Sequence, residues 1–97
     1  TEELMRKSGM EPSIIIDCSH GNSLRNPLNQ PTAFRDVIGQ VKNGATAIAG
    51  VMLESYLKTG KQPMKSRAEL TYGLSITDGC LGWDETEALI LEQYAAL

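Results

Sequence analysis

The sequence predicts an α/β fold, and three features of its first half indicate it. Two short apolar runs of strand length, Ile14–Ile16 and Ala47–Leu53, are separated by a segment with helical periodicity. Polar residues follow each run directly. A strand, a helix and a second strand in this order form a βαβ unit, whose strands are parallel and joined by a right-handed crossover.

The first predicted strand consists of three consecutive β-branched residues, Ile14–Ile16. Such a run is typical of a parallel strand that is buried on both faces. Before it, the stretch TEELMRKSG has the pattern of a helix end that closes on Gly9. A chain that opens inside a helix is expected to be a fragment, and removal of the initiator Met is the competing explanation. The polar residues 22–30 are predicted to form a loop after the strand.

A helix is predicted from Pro31 to about Asn43. Proline suits the first helical turn, and Gly44 supplies a stop signal after the last one. The helix has one apolar face at helical spacing, formed by Phe34, Val37, Ile38 and Val41.

The second half of the chain is less regular. Residues 56–74 are polar and interrupted by glycine and proline, so they are predicted to form a long loop in which LTYG (70–73) could be one strand of a hairpin. A last helix is predicted from Glu85 to about Ala96, with Asp84 and Glu87 as its capping box. Its expected apolar stripe comprises Ile90, Tyr94 and Leu97, with support from Leu91.

Composition excludes several classes of function. The net charge is -3, and the nine basic residues are scattered, so nothing favours nucleic acid or an acidic membrane surface. Aromatic residues make up 5% of the chain, too few for a base-stacking platform. No apolar run is long enough to span a bilayer, and no signal-peptide pattern opens the chain. We therefore expect no nucleic-acid or membrane partner and a cytoplasmic location.

Three residues are candidate metal ligands: His20, Glu54 and Asp78. The first two lie at the C-terminal ends of predicted strands, where ligands gather in βα barrels and open α/β sheets. One imidazole and two carboxylates suit Mn, Fe, Co or Zn. Their wide separation along the chain makes spacing alone a weak signal. Alternatively, His20 bonds to backbone at a strand end, Glu54 is a solvated carboxylate, and Asp78 belongs to an ordinary turn.

Three neighbours of these candidates also have predicted roles. Asp17 follows the isoleucines and is expected to be partly buried, so it needs an N–H group or a basic side chain as partner. Cys18 and Cys80 form no CxxC pair and are predicted to be reduced thiols. Each lies two residues from a candidate ligand, but a small buried residue packed under the site is the more frequent role for such a cysteine.

Three stretches of the sequence carry a family resemblance: IDCSHGNS, GVMLES and YGLSITDGCLGW. Taken together, in this order, they resemble the C-terminal part of the class I, metal-dependent 3-deoxy-D-arabino-heptulosonate-7-phosphate (DAHP) synthases, the first enzymes of aromatic amino-acid biosynthesis. The similarity extends from Ile14 to the final helix. The resemblance implies that residues 1–97 are a single partial domain, with the two strands as the seventh and eighth of a (β/α)8 barrel.

The resemblance also implies a reaction and a metal site. The family condenses phosphoenolpyruvate with erythrose 4-phosphate, giving DAHP and inorganic phosphate. His20, Glu54 and Asp78 match three of its four ligands to a divalent ion (Mn, Fe, Co or Zn), and the fourth, a cysteine, has no counterpart in this sequence. The ion is expected to polarise the aldehyde carbonyl of erythrose 4-phosphate.

The sequence lacks the family's cationic substrate clamps, including its KPRTS stretch. Arg25, Arg35, Lys58 and Lys61 match no such position. Two anionic substrates need such clamps, so the chain is expected to be inactive alone. An incomplete barrel also leaves open strand edges, which predicts self-association. The alternative function is that of a non-catalytic α/β module that acts by self-association or weak metal binding.

Overall fold

The computed structural model describes residues 1–97 and contains two strands and three helices. Their order along the chain is α1 Glu2–Lys7, β1 Ile14–Asp17, α2 Gln30–Lys42, β2 Ile48–Met52 and α3 Trp83–Ala96. Single 3₁₀ turns lie at Gly21–Ser23, Pro27–Asn29 and Arg67–Glu69. The predicted order of helices and strands is therefore confirmed. None of the helices is long and apolar enough to cross a membrane.

The two strands form a parallel sheet. Ile14 lies opposite Ile48 and Asp17 lies opposite Met52, with a register shift after Ile14. The strands consequently end at the same edge of the sheet. The predicted βαβ unit is confirmed, and this arrangement is consistent with part of a barrel.

A glycine in the left-handed conformation follows shortly after the last residue of both α1 and α2. Gly9 has φ 80° and Gly44 has φ 98°. Their N–H groups donate to the carbonyls of Arg6 and Val41, which would otherwise lack a partner at the helix end. The stop signals predicted from the sequence thus act as expected.

A small core lies between α2, the sheet and α3. Cys18 and Leu81 are completely buried there, together with Phe34, Val37 and Leu89. Ile16, Ile48 and Val51 pack against this cluster from the sheet. Only 16 of the 97 residues are buried, so much apolar surface stays outside the core.

The prediction that β1 is buried on both faces is wrong. Ile15 is 70% exposed, whereas Ile14 and Ile16 are half-buried. Side chains alternate between the two faces of a strand, and α2 covers the face that carries Ile16. No helix lies over the opposite face, which leaves Ile15 in solvent.

The predicted capping box of α3 is also wrong, and the helix begins slightly before the predicted Glu85. The helix begins at Trp83, and the capping position is occupied by Gly82, which has no side chain to accept a hydrogen bond, instead of by Asp84. The Gly82 N–H donates to Thr59 Oγ1 at 3.0 Å, and the Thr86 hydroxyl donates to the Gly82 carbonyl at 2.9 Å. These bonds hold the chain in place before the helix and extend it to Trp83.

The buried face of α3 differs from the predicted stripe. Thr86, Leu89 and Gln93 are buried, whereas the residues predicted to be buried are exposed: Ile90, Leu91, Tyr94 and Leu97. The Thr86 hydroxyl bonds Ser55 Oγ at 2.7 Å, which turns the helix so that Leu89 reaches the core. The apolar stripe has no element opposite it.

The long segment between β2 and α3 contains isolated bridges and no hairpin. Single bridges pair Gly60 with Cys80 and Lys61 with Ser75, and LTYG forms a turn instead of the expected strand. The buried side chain of Gln62 organises the loop. Its amide donates to the carbonyls of residues 71 and 74, and its oxygen accepts from the N–H of residue 71.

Candidate metal centre

His20, Glu54 and Asp78 meet at the carboxyl edge of the sheet. His20 lies three residues beyond the end of β1, and Glu54 lies two residues beyond the end of β2. Asp78 comes from the loop that precedes α3. The parallel register aligns the two strand ends, and the bridge between Ser55 and Leu81, just beyond β2, brings the Asp78 loop back to the sheet edge.

The donor atoms of the three side chains converge. His20 Nε2 lies 3.1 Å from Asp78 Oδ2 and 3.5 Å from Glu54 Oε1. One ligand atom from each residue falls within 4.8 Å of the others. Two donors bound to one ion at about 2.1 Å stand roughly 3.0–3.5 Å apart. The observed spacings of the histidine nitrogen to the two carboxylates fall in this range, and without an ion the contact with Asp78 is a direct hydrogen bond.

Asp17 has the partners that its position requires. Its Oδ2 lies 2.7 Å from His20 Nδ1, and its Oδ1 accepts from the Ser19 N–H at 2.7 Å. The expectation of an N–H group or a basic side chain is confirmed. The alternative in which His20 bonds backbone is not seen, because both ring nitrogens face carboxylates.

A buried polar network ties the two strand ends together. The Ser19 hydroxyl donates to Gln30 Oε1 at 3.1 Å and accepts from the Glu54 N–H at 2.8 Å. Gln30 is completely buried; its Oε1 also accepts from that N–H, and its amide donates to the Glu54 carbonyl at 3.2 Å. The main chain that carries Glu54 is thus clamped on both sides.

Sequence reasoning missed Ser19 and Gln30. Gln30 was assigned to a polar loop, but it is the first residue of α2 and points inward. The signal available was weak, because a single glutamine before a proline gives no sign of burial. Ser19 stands next to His20 in the motif, and this proximity was the one available clue.

Electrostatics of the cluster follow from these contacts. The hydrogen bond between His20 and Asp17 lowers the pKa of the Asp17 carboxyl. The hydrogen bond between His20 and Asp78 lowers the pKa of the Asp78 carboxyl in the same way. In turn, the bonds with Asp17 and then Asp78 raise the pKa of the His20 imidazole. Burial raises the pKa of Glu54, and the negative charge of Asp78 adds to the effect. The cluster therefore favours a positive charge at its centre.

One atom of the cluster lacks a partner. Glu54 Oε2 is buried and makes no hydrogen bond. An ionised carboxylate oxygen in this position is costly unless a cation or a donor lies beside it. This observation contradicts the interpretation of Glu54 as a solvated carboxylate, and it fits a site that takes a divalent ion between the three donors.

The two cysteines are buried and unpaired, as predicted. Burial raises the pKa of both thiols, which keeps them protonated. Cys18 belongs to the core cluster, and the Cys80 thiol donates to the Asp78 carbonyl at 3.5 Å. Neither belongs to the group of converging donors, so both act as packing beneath the site.

Comparison with known proteins gives one consistent result. The model of the DAHP synthetase I family matches residues 2–91. A phospho-2-dehydro-3-deoxyheptonate aldolase of Alternaria alternata is 46% identical over 97 residues, which cover 98% of this chain and 26% of that protein. A putative aldolase of the same name from Schizosaccharomyces pombe is 53% identical over 87 residues, covering 88% of this chain and 23% of that protein.

A bacterial relative and a solved structure agree with the fungal proteins. The Tyr-sensitive aldolase of Escherichia coli is 41% identical over 92 residues, which cover 94% of this chain and 26% of that protein. The structure of the aldolase from Francisella tularensis superposes with a TM-score of 0.89 at 35% identity, over 98% of this chain and 27% of that one. The chain spans about a quarter of the length of these relatives. Because the family model covers nearly all of the 97 residues, the chain belongs to the DAHP synthetase I family.

Proposed function

We propose that this chain supplies three ligands, His20, Glu54 and Asp78, to the divalent metal ion of a DAHP synthase. The reaction would be the condensation of phosphoenolpyruvate with erythrose 4-phosphate to DAHP and phosphate. The observation that carries the proposal is the convergence of one donor atom each from His20, Glu54 and Asp78, with the second oxygen of Glu54 buried and unpartnered. In this proposal β1 and β2 are the seventh and eighth strands of a (β/α)8 barrel, whose catalytic groups gather at the carboxyl ends of the strands.

The chemistry of the three residues suits this role. The neutral imidazole of His20 offers a lone pair on Nε2, and Glu54 and Asp78 offer one anionic oxygen each. Two negative charges match a divalent cation, and the mixed N/O set suits Mn, Fe, Co or Zn. Such an ion, when bound, supplies Lewis-acid polarisation of the aldehyde carbonyl of erythrose 4-phosphate. The clamp of Ser19 and Gln30 holds the Glu54 main chain, so its carboxylate is positioned before the ion arrives.

Metal titration of the purified, metal-free chain tests the proposal. We expect Mn²⁺ or Zn²⁺ to bind with one ion per chain by isothermal titration calorimetry. Glu54→Gln removes one anionic ligand and should weaken binding by about tenfold or more. Glu87→Gln, the same chemical change at an exposed position of α3, should leave the affinity unchanged. Equal affinities for the wild type and Glu54→Gln would overturn the assignment.

We propose that residues 1–97 have no synthase activity alone. Both substrates are anionic, and the cluster itself contains three carboxylates, Asp17, Glu54 and Asp78, with Arg25 as the cation that acts on Asp78. Phosphate and carboxylate groups require cationic clamps to approach such a site. A phosphate-release assay with both substrates and Mn²⁺ should stay at background, and metal-dependent turnover would contradict this expectation.

A second candidate function is that of a non-catalytic α/β module that acts by self-association or weak metal binding. Its support is the apolar surface left outside the small core, with Ile15 in the middle of β1. One observation separates the two functions: whether the source reading frame also encodes a KPRTS stretch and a further cysteine ligand upstream. Their presence favours the synthase, and their absence favours the module.

A further inference from the structure

We propose that Asp17 is a positioning residue that fixes His20 in the tautomer a metal ligand needs. The proposal rests on the metal site proposed above and assigns a task to a carboxylate that is not one of the three ligands. Asp17 would act through His20 and touch neither ion nor substrate.

The first step concerns the proton on His20 Nδ1. Asp17 Oδ2 lies 2.7 Å from this nitrogen, a short contact for a charge-assisted hydrogen bond. An ionised carboxylate can only accept, and this contact is shorter than the 3.1 Å between Nε2 and Asp78 Oδ2, so in a neutral ring the one proton lies on Nδ1. In a neutral imidazole the lone pair then lies on Nε2. That nitrogen is the one 3.1 Å from Asp78 Oδ2 and 3.5 Å from Glu54 Oε1.

The second step concerns how Asp17 is held. It is the last residue of β1, and its Oδ1 accepts from the Ser19 N–H at 2.7 Å. Its carbonyl accepts from the Asn22 side-chain amide at 2.8 Å. A purely structural turn would need only the Oδ1 bond. The second oxygen is free to serve the imidazole, and ligand histidines generally have such a partner on the nitrogen that faces away from the metal.

Because both carboxylate oxygens of Asp17 accept a hydrogen bond, the conservative substitution Asp17→Asn should change the tautomer of His20. Asp17→Asn keeps the size of the side chain but has one acceptor and one donor. If the amide oxygen keeps the Ser19 N–H, the amide NH₂ faces His20 Nδ1 and donates to it. The ring proton must then move to Nε2, where it occupies the lone pair needed by a metal. Asp17→Ala removes the contact and leaves both tautomers accessible.

Nitrogen-15 NMR of the imidazole measures the tautomer directly. His20 is the single histidine of the chain, so selective labelling gives unambiguous ring signals. In the metal-free wild type, above the pH at which the ring loses its charge, the shifts should report a proton on Nδ1. In Asp17→Asn they should report a majority of Nε2–H. Asp84→Asn, an exposed aspartate of α3, should resemble the wild type.

Zn²⁺ titration of the same proteins supplies the second readout. Loss of an outer partner of a ligand histidine weakens metal binding by about 10- to 100-fold. We expect that range for Asp17→Asn and no change for Asp84→Asn. An unchanged tautomer and affinity in Asp17→Asn would overturn the positioning role while leaving the metal site intact.

If a variant does not fold, the NMR measurement on the wild type alone still tests the proposal. A ring proton found on Nε2 in the metal-free wild type would overturn it, because Asp17 would then not control the ring. A wild type that has the Nδ1–H tautomer but binds neither Mn²⁺ nor Zn²⁺ would overturn the proposed metal site and leave the tautomer control standing. The two failures are therefore distinguishable.

Discussion

Gln30 connects the site to the helix that supports it. Its side chain is completely buried and bonds Ser19 Oγ, the Glu54 N–H and the Glu54 carbonyl. Buried polar networks that are fully satisfied fix one geometry, and a partly satisfied network is costly. The position of Glu54 therefore depends on Gln30, a residue that is not itself a candidate metal ligand.

Gln30→Leu should destabilise the chain and displace Glu54. The substitution removes one of the two donors to the Glu54 carbonyl, the other being the Leu81 N–H, and leaves the Ser19 hydroxyl without its acceptor, at a cost of about 1–3 kcal/mol. Urea unfolding measures this cost, and metal affinity should fall with it. Gln40→Leu, on the exposed part of α2 where Gln40 bonds only Asp36, should change stability by less than about 0.5 kcal/mol. Equal effects of the two variants would count against the clamp.

Whether the place of a single residue in the site could be predicted depended on how local its interactions are. His20 and Glu54 could be placed because each lies close to the C-terminal end of a strand, and the ends of parallel strands share one edge. Asp78 could be placed only through the family motif, since a loop brings it to the site from far along the chain. Gln30 could not be found, because its burial depends on the strand end across from it.

Among the elements, those defined by local patterns were predictable. Helix α2 and both strands were found from periodicity and β-branched runs, and their observed bounds lie within two residues of the predicted ones. The contacts of α3 were not predictable in this way. Its N terminus is fixed by Thr59, and its buried face by Ser55, both of which lie in the long segment before it.

Two glycine substitutions in helical segments should have effects of opposite sign. At Gly82, the capping position of α3, an added Cβ would lie 2.8 Å from Thr59 Oγ1 and 3.2 Å from the Thr59 nitrogen. Gly82→Ala should therefore destabilise the chain by about 1–3 kcal/mol. At Gly39, inside α2, a Cβ meets nothing within 4 Å. Gly39→Ala should stabilise by roughly 0.5–1 kcal/mol, because alanine favours the helix.

Thermal and urea unfolding of the two glycine variants measure this contrast. Circular dichroism at 222 nm follows the helices. A Gly82→Ala protein as stable as the wild type would show that α3 does not depend on the close approach to Thr59.

The shape of the whole molecule differs from that of a complete small domain. Its radius of gyration is 16.1 Å, and its extents are 52 × 32 × 17 Å. A compact domain of this length has a radius of gyration of about 12.5 Å. The molecule is a flattened layer with one sheet face uncovered. The family resemblance led to the expectation of an incomplete barrel, and these dimensions agree with it, but no local pattern in the sequence could have indicated which side chains stay exposed.

Self-association should cover the open sheet. Ile15 lies 70% exposed in the middle of β1, and β1 pairs with β2 along one edge only. An exposed apolar strand with a free edge is a template for pairing with another chain. We expect sedimentation velocity to give a mass above the 10.6 kDa of one chain, rising with concentration.

Ile15→Lys should shift the chain toward the monomer, because a charge on the open face opposes pairing. Tyr72→Lys, at an 84% exposed loop position away from the sheet, should not. A monomeric wild type across the concentration series, or equal dissociation by both variants, would contradict association through this face.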